Sequence, residues 1–237
     1  SMTKWINADE ARKAKYGNTL STLQDAYTSS MDLAKYTTYY LETFQNGIEI
    51  IRFANTILQF NTDASEQEKQ EFINERILRA YKDYNPELDK KVLPALMKLY
   101  AERVPEQYHP DIYKTINKKF KGDYNKYADW LFKNSQFTNI NDLLALLKSS
   151  NSKKLMKDPA MELAISVKDI GYELSSKMMP AYEKIIRGER EFMAALMEMN
   201  PDKTFYPDAN FTQRMSYGTI KGYAPRDAVW YEYFSTT

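Results

Sequence analysis

The longest helical pattern in this sequence occupies residues 158–199, DPAMELAISVKDIGYELSSKMMPAYEKIIRGEREFMAALMEM. Asp158 is a residue type that caps helix N-termini, and Pro159 suits the first helical position, where no N–H bond is lost. The apolar side chains that follow recur close to the helical period of about 3.6 residues. They are Leu163, Val167, Ile170, Leu174, Met178, Ala181, Ile185, Phe192, Leu196 and Met199. The pattern predicts one helix, or two stacked halves hinged at Pro180.

Gly188 falls on this apolar stripe at a place where Phe or Leu is expected. Because glycine has no side chain, it predicts that a neighbouring backbone approaches closely there. A break in the helix near Arg187 is the alternative interpretation.

A second long helix is predicted over residues 31–60, about 45 Å if unbroken at about 1.5 Å per residue. Its apolar positions are Leu33, Tyr36, Tyr40, Phe44, Ile48, Ile51, Ala54 and Leu58. A separate short helical stretch is expected before it, through Leu20 and Tyr27. The first helix of the chain is expected to stop at Gly17 in a left-handed cap.

The middle of the chain predicts further helices. Ser65 and Glu68 have the spacing of a capping box, which marks a helix start. Pro86 begins another helix, in which Pro94 is expected to cause a kink or a split. Shorter helices are predicted near residues 112–120, 125–132 and 141–149, with loops at Gly122 and around Asn151.

Composition agrees with a mainly α fold. The 237 residues include 7 Gly and 9 Pro, few breakers for such a length, and 43% are hydrophobic, enough for a substantial core. We therefore predict a multi-helix, bundle-like domain over residues 1–200 with long amphipathic helices. Residues 201–237 lose the helical period and predict an extended tail with two short strands, 212–221 with a bulge at Gly218, and 228–234. An isolated two-stranded ribbon is marginal in water, so these strands are expected to need a sheet that this sequence does not supply.

Charge and residue counts exclude several classes of function. With 33 Lys and Arg against 32 Asp and Glu, the formal charge is +1, so nucleic acid is not an expected partner. There is no Cys and one His, His109, which rules out disulfides, a Cys nucleophile and a two-histidine di-iron site. No apolar run reaches about 18 residues, so no membrane span is expected. The first residues lack a basic region followed by an apolar run, and no signal peptide is expected in this chain.

Three short motifs are candidate sites, and each has a simpler interpretation. Glu106 and His109 have a helical metal-ligand spacing, but a second such pair is missing, so no metal is expected. The segment 150–153 matches Ser-x-x-Lys without its companion motifs, and a chance match is favoured. The segment 210–212 fits a glycosylation sequon that matters only in a eukaryotic secretory route.

Tyrosine is unusually frequent, with 19 in the chain. Stacking of Tyr36, Tyr39 and Tyr40 on sugars or peptides is one interpretation, and amphipathic packing at helix edges is the favoured one. Basic residues of the tail could contact an acidic partner, although solvated positions are favoured. They are Arg214, Lys221 and Arg226.

Two segments resemble one known family. The tail reads YPDANFT at 206–212 and SYGTIKGYAPRD at 216–227, and residues 5–18 read WINADEARKAKYGN. Both are similar to segments of the bacterial serine dipeptidyl-peptidases related to dipeptidyl-peptidases seven and eleven, and they occur in the same order. The helices between them fit the family in kind but carry no motif of it.

The resemblance implies a chymotrypsin-like double β-barrel with a large inserted helical domain that caps the active-site cleft, so that only a free N-terminus enters and dipeptides are released. This chain then corresponds to most of that helical insertion, and the parent protein is periplasmic or at the cell surface. The implied partners are the catalytic barrel and peptide substrates, and an exposed interdomain face also permits a homodimer.

No catalytic, substrate-binding or metal-ligating residue carries over from the family. Its Gly-Asn-Ser-Gly-Ser-Pro type nucleophile motif does not occur in this sequence, and His109 matches no family position. No cofactor is implied, and this chain alone is expected to be inactive because a serine triad needs all three members within hydrogen-bond reach. The alternative hypothesis is a free-standing α-helical module that binds peptides or glycans through its tyrosine-rich faces.

Overall fold

Helices account for most of the residues that the computed structural model describes, which are 1–60, 64–149, 151–206 and 215–235. The α-helices are α1 (Met2–Asn7), α2 (Glu10–Tyr16), α3 (Thr19–Tyr40), α4 (Glu49–Ile57), α5 (Glu66–Phe72), α6 (Arg79–Tyr81), α7 (Pro86–Arg103), α8 (Ile112–Phe120), α9 (Tyr124–Asn134), α10 (Ile140–Lys148), α11 (Ser152–Met156) and α12 (Pro159–Met199). The mainly α prediction is confirmed.

Segments of π-helix and 3₁₀-helix connect some of these α-helices. Leu41–Gly47 and Ile73–Leu78 are π-helical, and Glu106–Tyr108 and Gln136–Thr138 are 3₁₀ turns. None of the helices in the described ranges has the length and apolar composition to cross a membrane.

The chain divides into two units, Ser1–Ala195 and Leu196–Thr237. The first is helical, and most of its buried side chains form one cluster that extends from Tyr40 to Leu174. A smaller cluster of Ile6, Tyr16 and Ala195 lies apart from it. The predicted functional division at residue 200 stays a prediction.

The second unit contains a short antiparallel ribbon. β1 (Tyr223–Arg226) pairs with β2 (Val229–Tyr231), and Ala228 in the turn between them has a left-handed φ of 61°. The prediction of a strand over 212–221 is wrong for the described residues 215–221, which lie outside any strand, and with it the bulge at Gly218. The second predicted strand contains β2.

Aromatic packing explains where the ribbon begins. The rings of Tyr223 and Tyr231 meet edge to face across the strands, with centroids 5.5 Å apart. Such cross-strand aromatic pairs stabilise a two-stranded ribbon. The contact first becomes available at Tyr223, whereas the side chains of Met215, Tyr217 and Ile220 are more than three-quarters exposed.

The 41 residues of α12 form one helix, about 61 Å long at 1.5 Å per residue. Of the two predicted arrangements, the single helix is confirmed, since Pro180 lies inside α12 and the alternative of two separate halves is not found. Contacts with α3 hold α12 on both sides of that position: Tyr40 packs at Gly171, and Leu23 packs at Gly188. The two helices therefore run antiparallel.

The close approach predicted at Gly188 exists, but a side chain makes it. A Cβ at position 188 would lie 2.7 Å from both Cγ and Cδ2 of Leu23, inside van der Waals contact. Gly188 is buried under this leucine, and the alternative of a break near Arg187 is wrong. The same helix pair is joined by hydrogen bonds from the Thr19 hydroxyl to Glu191 Oε2 at 3.0 Å and from the Tyr27 hydroxyl to Glu189 Oε1 at 2.7 Å.

The predicted helix over residues 31–60 is interrupted at a position that the sequence pattern does not indicate. α3 begins at Thr19 and absorbs the short stretch predicted before it, and the interruption comes at Ile48, whose backbone is extended with φ −108° and ψ 105°. Gly17 is right-handed with φ −56°, so the predicted left-handed cap is also wrong. By contrast, the Ser65–Glu68 capping box is confirmed.

The carboxylate of Asp89 explains the break. It lies in the first turn of α7 and accepts the backbone N–H groups of Glu49 at 2.9 Å and Ile50 at 2.8 Å, the first amides of α4. Because a helix leaves its first N–H groups without partners, this carboxylate caps α4 from a different helix. Asp89 is 3% exposed, and burial raises its pKa although these hydrogen bonds oppose the shift. α7 itself is not split at Pro94.

Asp158 caps α12 as predicted and also ties it to a loop. Its carboxylate accepts the N–H of Ala160 at 2.9 Å, the N–H of Gln136 at 2.7 Å and the hydroxyl of Ser135 at 2.6 Å. Burial raises the pKa of Asp158, with the three hydrogen bonds opposing. Both buried carboxylates are therefore used to satisfy backbone amides.

Tyrosines lie deeper in the core than the helix-edge interpretation predicts. Tyr100 and Tyr127 are fully buried. Several buried hydroxyls donate to backbone carbonyl oxygens of other segments, as Tyr81 does to Phe137 at 2.6 Å and Tyr113 to Met97 at 2.8 Å. A buried tyrosine combines a large apolar surface with a hydroxyl that needs a partner. Tyr81 and Tyr113 find that partner in a backbone oxygen, whereas the buried Tyr127 hydroxyl has no hydrogen-bond partner among the described residues.

Replacing Gly188 by Leu should lower the unfolding free energy by about 1–3 kcal/mol, because the new side chain overlaps Leu23. Adding Leu23→Ala to the same chain should recover part of the loss. Urea unfolding followed by circular dichroism measures both. Gly218→Ala is the matched control, since a Cβ there has no atom within 4 Å. Equal effects at both glycines would contradict the packing argument.

Replacing Asp89 by Ala should cost about 1–3 kcal/mol, because two buried N–H groups at the start of α4 lose their acceptor. Urea denaturation is the measurement. Asp129→Ala is the control: its carboxylate pairs with Lys90 at 2.8 Å but is 68% exposed, and such surface pairs are worth about 0–1 kcal/mol. A loss at Asp89 no larger than that at Asp129 would refute the capping role.

Candidate functional site

His109 lies in a polar groove of about 560 Å³ that is also lined by Ser166, Asp111 and Asp169. These residue types could form a hydrolytic site, and their hydrogen bonds show whether they do. The His109 Nε2 lies 2.7 Å from the Val104 carbonyl oxygen, which can only accept, so Nε2 donates. The Ser166 hydroxyl oxygen accepts the N–H of Ile112 at 2.8 Å.

These bonds give His109 and Ser166 structural roles. Val104 caps the C-terminal end of α7 and Ile112 is the first residue of α8, so the two side chains satisfy backbone groups at helix ends. Within the described residues no hydrogen bond joins the imidazole to the serine hydroxyl. The arrangement lacks the nucleophile–base contact on which serine catalysis depends.

The metal-ligand reading of Glu106 and His109 does not hold in the structure. Glu106 is in a 3₁₀ turn and His109 has left it for an extended conformation, so the two do not share a helix face. In the part of the chain that the structure describes, no three His, Asp or Glu side chains gather closely enough to hold a metal ion.

The remaining sequence candidates lie mostly beyond what the structure describes. Ser150 of the Ser-x-x-Lys match, the whole sequon 210–212 and Arg214 are outside the described residues. Lys221 and Arg226 are described and exposed.

A candidate that the sequence did not reveal lies at the C-terminal end of α4. Two cavities, of about 800 Å³ and about 520 Å³, are both lined by Gln59. We call the pair the α4 groove. The residues that contribute its polar lining are Tyr40, Gln45, Arg52, Asn55, Thr56, Gln59, Glu75, Arg76, Arg79, Lys168, Tyr172 and Ser175.

The larger cavity is cationic. Arg52, Arg76 and Arg79 line it together with one carboxylate, that of Glu75. Arg52 is paired with Glu49 at 2.8 Å, whereas neither Arg76 nor Arg79 forms an ion pair with another described residue. Guanidinium groups without partners can bind carboxylates or carbonyl oxygens of a ligand.

The smaller cavity presents aromatic and amide side chains. Gln45 Nε2 donates to the Tyr40 hydroxyl oxygen at 2.9 Å, and Lys168 lies 5.5 Å from the ring centre of Tyr172, which is 64% exposed. Burial raises the pKa of Tyr40, and the bond from Gln45 opposes that rise. The amide of Asn55 completes the polar wall. Carboxamides both donate and accept, as an extended polypeptide backbone requires.

Local backbone irregularity positions the groove. Gln45 belongs to the π-helical segment Leu41–Gly47, and Arg76 to the π-helical segment Ile73–Leu78. A π-helical turn is wider than an α-helical one and is frequently found at functional sites. Sequence periodicity could not show these segments, because it treats all helical residues as having a period of about 3.6.

Comparison with known proteins matches the whole chain to one protein family. The Peptidase S46 family profile matches residues 1–237. Dipeptidyl-peptidase 7 of Porphyromonas gingivalis is 41% identical over 98% of this chain, and the Asp/Glu-specific dipeptidyl-peptidase of the same organism is 35% identical over 76%. The matched regions are 33% and 25% of those two proteins.

A solved structure has the same fold over nearly the full chain. The crystal structure of Porphyromonas endodontalis DPP11 in complex with the dipeptide Arg-Glu matches with a TM-score of 0.73 at 27% identity. The match covers 97% of this chain and 34% of that protein. The chain thus spans about a third of the length of Porphyromonas gingivalis dipeptidyl-peptidase 7 and of Porphyromonas endodontalis DPP11.

His109→Phe should reduce the unfolding free energy by about 0.5–1.5 kcal/mol, because it keeps a ring but removes the hydrogen bond to Val104. Thermal unfolding by differential scanning calorimetry tests this. Gln107→Ala, an exposed change in the same groove, should have little effect. A variant as stable as the unmodified chain would show that the imidazole is not a structural donor.

Proposed function

Since the chain belongs to the peptidase S46 family, we propose that it is the helical domain of a longer serine dipeptidyl-peptidase, a hydrolase that releases dipeptides from the N-terminus of polypeptides. The observation that carries the proposal is the profile match along all 237 residues, to relatives of which the chain covers about a third. On this proposal the other two thirds include the catalytic β-barrel, which is the partner of this domain.

We assign the domain no catalytic residue. Serine peptidase chemistry requires a hydroxyl nucleophile, an adjacent base and a group that orients the base. His109 and Ser166 are engaged at helix ends instead, and neither is bonded to the other. The nucleophile and the base therefore belong to the barrel, and the chain by itself is inactive.

The proposed role of the domain is to cap the active-site cleft and to control which substrates enter. A cap excludes the body of a folded protein and leaves room for a chain end, so it acts through steric exclusion and orientation. The α4 groove suits a contact with the extended polypeptide beyond the cleaved dipeptide. Its carboxamides at Gln45, Asn55 and Gln59 can bind backbone groups of any sequence.

We further propose a periplasmic or cell-surface location for the parent protein. Polypeptide substrates with free N-termini are available there, and a chain without cysteine forms no unwanted disulfides in an oxidising compartment. Cell fractionation with antibodies against this domain tests the location, and recovery in the cytoplasm would contradict it.

The gating role predicts that substrates of different length respond differently to changes in the α4 groove. In the longer protein, Gln45→Ala combined with Asn55→Ala and Gln59→Ala should raise KM for oligopeptides about 100-fold, because three lost hydrogen bonds at about 1 kcal/mol each total about 3 kcal/mol. Hydrolysis of a dipeptide joined directly to a fluorophore should stay unchanged, since that substrate is too short to reach the groove. Steady-state kinetics on both substrates gives the comparison.

Gln67→Ala is the matched control for these substitutions, because Gln67 is exposed, lies outside the groove and bonds to Glu71 on the same helix. Equal losses on the long and the short substrate would indicate general damage to the enzyme. No change on either substrate would remove the α4 groove from the proposal and leave the cap to act by exclusion alone.

A further inference from the structure

The larger cavity of the α4 groove holds more positive charge than contacts with a peptide backbone require. Four cationic side chains and one carboxylate line the whole groove, an excess of three positive charges, whereas the formal charge of the chain is +1. Three of the cations are the guanidiniums of Arg52, Arg76 and Arg79, and the carboxylate in the same cavity is that of Glu75. A cavity lined mainly by charges of one sign attracts ligands of the opposite sign.

Aromatic packing between α4 and α6 sets these guanidiniums around one cavity. Phe53 of α4 stacks on Tyr81 of α6 with ring centroids 4.4 Å apart, and the Tyr81 hydroxyl donates to the Phe137 carbonyl oxygen at 2.6 Å. Arg52 comes directly before Phe53, and Arg79 lies two residues before Tyr81. The stacked rings therefore hold the two arginine-bearing segments next to each other.

The π-helical segment Ile73–Leu78 explains why Arg79 has no partner on its own helix. Glu75 precedes Arg79 by four residues, a spacing at which opposite charges face each other on an α-helix. A π-helical turn is wider, because its hydrogen bonds join residues five apart, so side chains four residues apart are no longer aligned. In the described part of the chain no ion pair joins Glu75 to Arg79, which leaves this guanidinium available to a ligand.

We propose that the larger cavity binds acidic side chains of the polypeptide substrate, in the stretch that follows the released dipeptide, so that substrates with Asp or Glu there are preferred. The inference rests on the proposed function and adds a charge preference to it. Because Gln59 lines both cavities, a peptide bonded to its carboxamide lies next to the arginines. A guanidinium can donate two parallel N–H groups to a carboxylate, which a neutral side chain does not match.

The volume and the accessibility of the larger cavity suit a short peptide segment. Its volume of about 800 Å³ is within the range of about 300–1,000 Å³ that is usual for ligand sites. All three arginines are exposed, so a ligand can reach them. Arg52 already pairs with Glu49 at 2.8 Å, so Arg76 and Arg79 are the arginines expected to bind the carboxylate.

Peptides that differ in one residue test the preference in the longer protein. All begin with the same dipeptide, and each carries either Glu or Gln at one later position, with neutral residues elsewhere. At one position or two neighbouring positions, kcat/KM should be about fivefold higher for Glu than for Gln, because exposed ion pairs are weak and two of them together give about this factor. At the other positions the ratio should be close to one.

Variants of the arginines identify the cavity as the source of the preference. Arg76→Gln combined with Arg79→Gln should bring the Glu to Gln ratio of kcat/KM to about one at every position, and the corresponding Lys variants should retain part of the preference because they keep the charge. Arg103→Gln is the matched control and should keep the fivefold ratio, since Arg103 is exposed and lines neither cavity.

Binding to the 237-residue chain tests the cavity without catalysis. In nuclear magnetic resonance spectra, an acetylated peptide that contains Glu should shift the side-chain Nε–H signals of Arg76 and Arg79 and leave that of Arg103 in place. The same peptide with Gln should bind about fivefold more weakly. Unchanged signals of both arginines would overturn the inference.

The kinetic outcomes separate this inference from the proposed function. Dipeptide release with a Glu to Gln ratio near one at every position would leave the proposed function standing and overturn the charge preference. A preference of equal size at all positions would indicate general attraction to a positive protein and would also overturn it. Binding of Glu by the 237-residue chain without any preference in the longer protein would assign the arginines to a carboxylate of the catalytic barrel. Release from none of the peptides would remove both the proposed function and the inference.

Discussion

The antiparallel contact between α3 and α12 is the constraint on which the first unit depends. Two positions of α12 that lack side chains, Gly171 and Gly188, admit Tyr40 and Leu23 of α3, and they lie 17 residues, about 25 Å, apart along the helix. Fixed at both places, α12 continues through Pro180 without a hinge. The pairing also sets the smaller half of the α4 groove, because α12 contributes one of its walls.

Several buried or half-buried polar side chains of this unit form hydrogen bonds with backbone groups at helix ends. Asp89 and Asp158 each accept two amide N–H groups, His109 donates to the carbonyl oxygen that follows α7, and Ser166 accepts the first amide of α8. Burial without such partners would cost several kcal/mol per group, so these side chains serve to hold helix ends in place. The polar side chains that can bind a ligand are therefore those at the surface, namely the carboxamides, tyrosines and arginines that line the α4 groove.

The sequence predicts correctly those features of the fold that depend on the local residue pattern. The periodicity of residues 158–199, the caps at Asp158 and Ser65 and the bounds 112–120 all correspond to elements of the structure. It missed what depends on distant contacts. The break at Ile48 is fixed by Asp89, 41 residues further on, and the ribbon begins at Tyr223 because a cross-strand partner exists there. The α4 groove could not be predicted for the same reason, since its residues come from four distant stretches of sequence, 40–45, 52–59, 75–80 and 168–175, and two of these stretches include π-helical turns.

The central claim is that this chain is a non-catalytic helical domain within a longer dipeptidyl-peptidase. The most direct test measures release of a fluorophore from dipeptidyl substrates by the purified 237-residue chain beside the longer protein, at equal molar concentration. The account predicts release by the longer protein and none by the chain, whose circular dichroism should still show a helical fold. Dipeptide release by the chain itself would contradict the account, because its residues would then hold a nucleophile and a base that we have assigned elsewhere.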